Sequence, residues 1–232
     1  MTSAVDASQP DGSPSLRATA MSAQSTLGFV RPIEPEDRLR ADFYALFARL
    51  FFAPPDAGLL QTMGSAPLLS DEVDDAPLAT AWARLAAASS VMDVEAARDE
   101  YETLFGGVGK SLVTLFASYY ASHDTPGEAT RYLVDLRSAL DARGIALKSD
   151  TGVPEDHCSA IFETMRLLIA GSDELAPATR DDGQAFYKRF IAPFHPSWCA
   201  AITHQSVANF YRAVAECANA FLAIEDEAVA IA

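Results

Sequence analysis

The side chains that most often carry catalysis or bind metals are few in this sequence and widely scattered. The four histidines form neither an H-x-x-x-H nor an H-E-x-x-H pattern; they are His123, His157, His195 and His204. His157 adjoins Cys158, but neighbouring residues on a helix point about 100° apart and rarely share a metal. His195 and Cys199 are four residues apart, yet Pro196 stands between them and no second ligand pair is evident. The sequence therefore predicts no metal site and no catalytic residues.

Gly109-Lys110-Ser111 matches the end of a phosphate-binding loop, a feature of nucleotide-dependent enzymes. That loop needs a glycine five positions before its second glycine, and position 104 is Leu. It also needs a preceding strand, whereas the spacing of apolar residues predicts a helix over residues 93–105. We reject the nucleotide-loop interpretation. A small helical nucleotide-dependent enzyme stays the alternative from a different functional class.

Residues 99–120 combine the end of a helix, a glycine-rich turn and an aromatic segment. Tyr101, Leu104 and Phe105 share one helix face, because they are spaced i, i+3, i+4. Gly106, Gly107 and Gly109 then break the helix. Large apolar side chains follow and are able to line one groove; they are Leu112, Val113, Leu115, Phe116, Tyr119 and Tyr120.

Two blocks of this sequence together form a recognisable pattern. The first block is Glu100-Tyr101-x-x-Leu104-Phe105, then a glycine-rich turn, then Phe116-x-Ser118-x-Tyr120. The second is Pro154-Glu155-Asp156-His157, with Glu163 and Met165 further along. The two blocks resemble the signatures of the TorD/DmsD/NarJ family, whose members are cytoplasmic chaperones for the maturation of molybdenum-containing redox enzymes. The resemblance covers roughly residues 36–225 and favours the TorD/DmsD branch.

The resemblance implies a cofactor-free protein that is not an enzyme. It would bind the precursor of a molybdopterin-containing oxidoreductase catalytic subunit, through its twin-arginine signal peptide and its apo-form, and delay export until the cofactor is inserted. The alternative within the family is a NarJ-type chaperone for a molybdoenzyme that is not exported. The resemblance places the leader-binding groove at Tyr101, Leu104, Phe105, Phe116, Ser118, Tyr120, Asp156 and His157.

Physical chemistry makes such a groove reasonable, since an apolar leader segment needs an apolar trough and acidic flanks hold arginines by charge-assisted hydrogen bonds. A formal charge of −15 argues against binding to nucleic acid and would attract a basic partner segment. The three cysteines are widely spaced and odd in number, which fits a reducing compartment. We find no membrane-spanning run and no export signal, and we expect a cytoplasmic protein.

The elements that position these motifs are all predicted to be helical. We expect an irregular globular bundle of about eight to nine helices, like that of TorD, over residues 34–226, with Asp93 as an N-cap and another helix beginning at Pro154. Residues 1–33 are predicted to be a disordered tail, in which Met21 is a second possible start, and residues 227–232 a C-terminal tail. The loop 144–153 is a possible hinge, which leaves a monomer or a domain-swapped dimer open.

Overall fold

A computed structural model describes residues 17–18, 33–69, 76–106, 111–121, 127–146 and 152–231. Ten α-helices occupy most of these residues, which confirms the all-α prediction. In chain order they are α1 (Pro35–Phe52), α2 (Ala57–Gly64), α3 (Ala76–Val91), α4 (Val94–Tyr101), α5 (Ala117–Ala121), α6 (Glu128–Ala142), α7 (Cys158–Ala170), α8 (Arg180–Phe190), α9 (His195–Thr203) and α10 (Phe210–Ile231).

Several helix boundaries differ from the prediction. A π-helical turn, Glu102–Gly106, follows α4, and the short helix α5 lies within the predicted aromatic segment. The helix expected from Pro154 begins only at Cys158. The last helix begins at Phe210, because the Arg212 guanidinium holds the preceding turn by donating to backbone carbonyls there. It then continues to Ile231, through the predicted C-terminal tail. The predicted N-cap Asp93 is confirmed, since its carboxylate accepts from two backbone N–H groups of α4.

The two short strands of the described chain are β1 (Arg17–Ala18) and β2 (Ile145–Ala146), which pair antiparallel. Otherwise the predicted tail 1–33 lies outside the described residues, apart from Ile33. The centre of the predicted hinge, residues 147–151, also lies outside them. None of the helices in the described ranges has the length and apolarity that a membrane crossing demands.

The centre of the molecule is α7, which packs along α1. Nine of the thirteen residues of α7 are buried, so apolar contacts surround this helix on nearly every side. On α1, buried residues such as Phe43, Phe47 and Leu50 recur at helical spacing and form the face that meets α7 and α10. The Phe162 ring of α7 lies 6.1 Å from Phe47 and 5.7 Å from Trp198 of α9. One continuous apolar core results.

A buried ion pair joins the N-terminal half of α1 to the C-terminal half of α10. Arg40 donates to both carboxylate oxygens of Glu225, over 2.7 and 2.9 Å, and the Tyr44 hydroxyl donates to the same carboxylate over 2.9 Å. Asp37 accepts a further bond from Arg40 over 2.8 Å. Because Glu225 is almost fully buried, its charge depends on these donors rather than on water.

Replacing Glu225 with Ala should lower the free energy of unfolding by about 2–3 kcal/mol, because it leaves the Arg40 charge without its buried partner. The loss is smaller than for a fully buried pair, since the Arg40 side chain is 24% exposed. Urea denaturation would measure it. The matched control is Glu216→Ala, which breaks a more exposed pair with Arg84 and should cost less than about 0.5 kcal/mol. Equal losses in the two variants would contradict this assignment.

Candidate functional site

The first signature block begins with a carboxylate that caps a distant helix. Glu100, near the end of α4, accepts hydrogen bonds from the backbone N–H groups of Asn209, Phe210 and Tyr211 over 2.8–3.1 Å. These are donors at the start of α10 that have no partner within that helix. A negative charge is also favoured at a helix N-terminus by the helix dipole. Glu100 belongs to the first signature block but is not among the predicted site residues. It acts as a cap for the start of α10.

Tyr101 acts as a cap at the C-terminus of another helix, α1. Its hydroxyl lies 3.2 and 3.1 Å from the carbonyl oxygens of Phe51 and Phe52, at the C-terminus of α1. Its ring packs edge-on against Phe105 with a centroid distance of 5.2 Å, and both rings contact Tyr211. Burial raises the pKa of the Tyr101 hydroxyl, which therefore stays protonated and able to donate.

Leu104 has no exposed surface, and its carbonyl accepts from the Val113 N–H over 2.9 Å. This bond ties the first half of the block to the aromatic segment that follows. Tyr101 and Phe105, both half-buried, contact Phe51 of α1 and Tyr211 of α10.

The two signature blocks meet through a pair of reciprocal backbone hydrogen bonds. Ala117, the first residue of α5, donates its N–H to the Asp156 carbonyl over 2.8 Å. Cys158, the first residue of α7, donates its N–H to the Leu115 carbonyl over 2.8 Å. Phe116 and His157 face each other between these bonds in an isolated antiparallel bridge. Each segment thus satisfies an N–H that the other segment's helix cannot satisfy itself.

Asp156 and Ser118 reinforce this junction from within. The Ser118 hydroxyl donates to the Asp156 carboxylate over 2.5 Å. Asp156 is 5% exposed and stands just before the N-cap of α7, where its charge is favoured by the helix dipole. Two of the predicted site residues, Ser118 and Asp156, are therefore in direct contact, mostly below the surface.

His157 is the N-cap of α7 rather than a residue of its first turn. Its Nδ1 accepts from the Ser159 N–H over 3.3 Å and lies 2.7 Å from the Ser159 hydroxyl. Burial lowers the pKa of the imidazole to about 4. The ring is therefore neutral at physiological pH, and it packs edge-on against Phe116 with a centroid distance of 5.8 Å.

An exposed aromatic surface covers the junction. Phe116 is 40% exposed and Tyr119 is 64% exposed, and the Tyr119 N–H donates to the Phe116 carbonyl over 3.2 Å. We call Phe116, Tyr119 and His157 the aromatic patch. Leu112, earlier in the same segment, is 51% exposed. Tyr120 is instead buried, and its hydroxyl donates to the Thr114 carbonyl over 3.1 Å. Tyr119 was not predicted as a site residue, because periodicity alone does not show which of two adjacent tyrosines faces outward.

A separate cleft of about 500 Å³ lies beside the N-terminal half of α1. It is bordered by Leu39 and Phe43 of α1, by Leu78 of α3 and by Phe221 and Val229 of α10. None of the residues predicted from the signature blocks lines it. The signature residues and this cleft are therefore distinct features of the molecule.

The described residues form no group of metal ligands, and their cysteine thiols are enclosed in the core. No three His, Cys, Asp or Glu side chains in these ranges are grouped to hold a metal ion. All three cysteines are buried, and burial raises the pKa of each thiol, that of Cys217 to about 12. Thiols in such surroundings are poor nucleophiles and poor ligands. The junction is suited to binding, through an apolar surface on a rigid support.

The depressed pKa of His157 predicts a specific pH dependence of stability. The unfolded chain takes up a proton near pH 6.5 and the folded imidazole only near pH 4, so this contribution is complete above about pH 6.5 and is lost as the pH falls toward 4. An NMR titration of the imidazole should show a midpoint near pH 4. His157→Asn keeps an N-cap and should flatten this part of the curve. A midpoint near 6.5 in the folded protein would contradict the burial argument.

Glu100→Ala should lower the free energy of unfolding by about 1–2 kcal/mol, because it leaves three N–H groups of α10 without their acceptor. Glu95→Ala is the matched control on the same helix, where the carboxylate pairs with the exposed Arg98. That loss should stay below about 0.5 kcal/mol. Thermal or urea unfolding measures both, and similar losses would show that the cap contributes little.

The chain matches one known protein family over more than half of its length. The family model described as nitrate reductase delta subunit matches residues 71–200, a range that contains both signature blocks. No curated protein matches this chain. The chain therefore belongs to the nitrate reductase delta subunit family, that is, to the TorD/DmsD/NarJ chaperones for the maturation of molybdenum-containing redox enzymes.

Proposed function

We propose that this protein binds the twin-arginine leader and the apo-form of a molybdopterin oxidoreductase catalytic subunit and delays its export until the cofactor is inserted. The observation that carries the proposal is the aromatic patch, an exposed apolar surface held on the junction of the two signature blocks. Leaders contain an apolar segment, and covering exposed aromatic rings with such a segment lowers the free energy of the complex. The step is binding and release in the cytoplasm, with no covalent chemistry and no cofactor.

We assign different roles to the predicted site residues according to their exposure and contacts. Phe116 and Tyr119 have the exposure that direct contact with a leader requires, and the half-buried His157 packs against Phe116. Ser118, Asp156 and Tyr120 hold the junction in place from below. We assign Tyr101, Leu104 and Phe105 to the layer beneath, which fixes the aromatic segment against α1 and α10. Whether the protein acts as a monomer or as a domain-swapped dimer stays a prediction.

A second function within the family is favoured by one specific finding. The matching family model is described as nitrate reductase delta subunit. The resemblance to the NarJ-type chaperones implies a catalytic subunit that is not exported. The same aromatic patch would then bind the N-terminal segment of a subunit without a cleavable leader. The two functions share the surface and differ only in the partner.

The patch is tested by the double substitution Phe116→Ala and Tyr119→Ala. We expect the affinity for a synthetic leader peptide, with two adjacent arginines followed by an apolar segment, to fall by about tenfold or more, because the substitutions remove most of the exposed aromatic area. Isothermal titration calorimetry measures it. Both side chains are exposed, so circular dichroism and the melting temperature should stay close to those of the wild type.

The matched control is Val91→Ala, which removes an exposed apolar side chain at the end of α3, outside the patch. Its affinity for the peptide should equal that of the wild type. Unchanged binding by the double variant, or an equal loss in the control, would remove the patch as the binding surface.

The partner is identified by affinity capture of the tagged protein from its own host during anaerobic respiratory growth, followed by mass spectrometry. Capture of a molybdoenzyme catalytic subunit that still carries its leader would support control of export. Capture of a leaderless catalytic subunit would support the NarJ-type function instead. If no molybdoenzyme subunit is captured, the chaperone proposal fails for this protein.

A further inference from the structure

An exposed ion pair flanks the junction of the two signature blocks. Glu155, in the turn before α7, accepts hydrogen bonds from Arg137 of α6: Nε lies 3.2 Å from Oε1, and Nη2 lies 3.3 Å from Oε2. Two parallel bonds between a guanidinium and a carboxylate form the bidentate geometry that is specific to arginine. The Arg137 side chain is 60% exposed and that of Glu155 is 30% exposed. The carboxylate is therefore shaped for a guanidinium and is reachable from solvent.

The position of this carboxylate relates it to the aromatic patch. Glu155 directly precedes Asp156, whose carbonyl accepts the Ala117 N–H, and it stands two residues before His157 of the patch. Besides Glu155, the neighbouring carboxylates of Asp156 and Asp141 also act on the Arg137 guanidinium, and together they hold its pKa above the usual value. The Arg137 guanidinium therefore lies near several carboxylates at the edge of the aromatic patch.

We propose that Glu155 accepts a guanidinium of the partner's leader, and that Arg137 occupies the same carboxylate as an internal competitor until the leader binds. This inference rests on the proposed function and identifies Glu155 as the residue that recognises arginine beside the aromatic patch. Glu155 and Arg137 lie outside the predicted groove residues. The expected ligand is a peptide in which arginine stands next to an apolar segment.

The exchange is physically feasible because it replaces one bidentate bond with another of the same kind. An exposed ion pair contributes little net stability, so releasing Arg137 to solvent costs little. The incoming arginine arrives with an apolar segment that covers the aromatic patch, which supplies the driving force that Arg137 alone lacks. A lysine offers a single compact charge and does not reproduce the bidentate fork. The site therefore discriminates between the two basic residues by geometry rather than by charge.

The proposal makes predictions of opposite sign for the two partners of the ion pair. Arg137→Gln removes the competitor and should tighten binding of a diarginine peptide by about two- to fivefold, the strength of an exposed ion pair. Glu155→Gln removes both the bond to the leader and the bond to Arg137 that the wild type must break. Binding of the same peptide should therefore weaken only by the difference between them, about two- to threefold, since the bound leader shields its own bond from water. A dilysine peptide of otherwise identical sequence should show less than about twofold change in either variant. Isothermal titration calorimetry at about 0.15 M salt, where long-range attraction is screened, measures the affinities of both peptides for the wild type and for the two variants.

Charge-matched controls separate this local competition from the general attraction of an acidic protein for a basic peptide. Arg84→Gln and Glu216→Gln change the net charge in the same two ways, but they break an ion pair between α3 and α10. Both should leave the affinity within about twofold of the wild-type value at this salt concentration. Matching effects in the control pair and in the Arg137 and Glu155 variants would overturn the proposal.

The outcomes distinguish this inference from the proposed function on which it rests. If the wild type binds neither peptide, leader binding and the role of Glu155 fail together. If the wild type binds the diarginine peptide but both variants bind it equally well, only the role of Glu155 fails. If both substitutions weaken binding, the ion pair supports the surface as a unit, and the competition between Arg137 and the leader is excluded.

Discussion

Two backbone hydrogen bonds, from Ala117 to the Asp156 carbonyl and from Cys158 to the Leu115 carbonyl, join segments that lie about forty residues apart in the chain. Each bond satisfies the first N–H of a helix, and water would compete for both donors if the segments separated. The aromatic patch exists only because of this junction, since Phe116 and His157 belong to different segments. The orientation of α5, the start of α7 and the edge at Glu155 all depend on it.

The beginning of the first signature block supports the site indirectly, because its side chains hold the ends of two long helices. Glu100 and Tyr101 are adjacent residues, yet one satisfies the start of α10 and the other the end of α1. A single turn of α4 therefore fixes two long helices relative to each other. The residue types follow from these tasks: a carboxylate accepts N–H groups, and a phenol donates to carbonyls. A motif that marks a binding family here contains helix caps as well as contact residues.

Sequence reasoning predicts the helices that periodicity defines and misses the boundaries that distant residues set. The apolar spacing in α1 and α7 is sufficient to predict both helices, because their neighbours in the core only reinforce it. The start of α10 depends on Glu100, more than one hundred positions earlier, and on Arg212 holding the preceding turn. No local pattern reveals either contact. Pro154 is a favourable first helical residue, but the junction holds the following turn in another conformation, so α7 begins at Cys158.

The site was predictable to a similar degree. The signature blocks indicate which segments hold the candidate residues, and Phe116, Ser118, Asp156 and His157 meet at the junction, while their role in binding stays a prediction. They do not reveal which side chains face solvent. Exposure depends on the direction of the chain as it leaves the junction, which turns Tyr119 outward and Tyr120 inward. The pairing of Arg137 with Glu155 joins α6 to a turn eighteen residues away and has no signature in either segment.

The burial of all three cysteines has a practical consequence for observing this protein at work. Each thiol is enclosed in the core and held in its protonated form, so thiol-reactive dyes and spin labels will find no accessible target in the folded protein. A cysteine introduced at position 119 would then be the one group that such reagents modify. The wild-type chain is in effect already a cysteine-free background, on which a probe at the rim of the aromatic patch reports contact with a partner in real time.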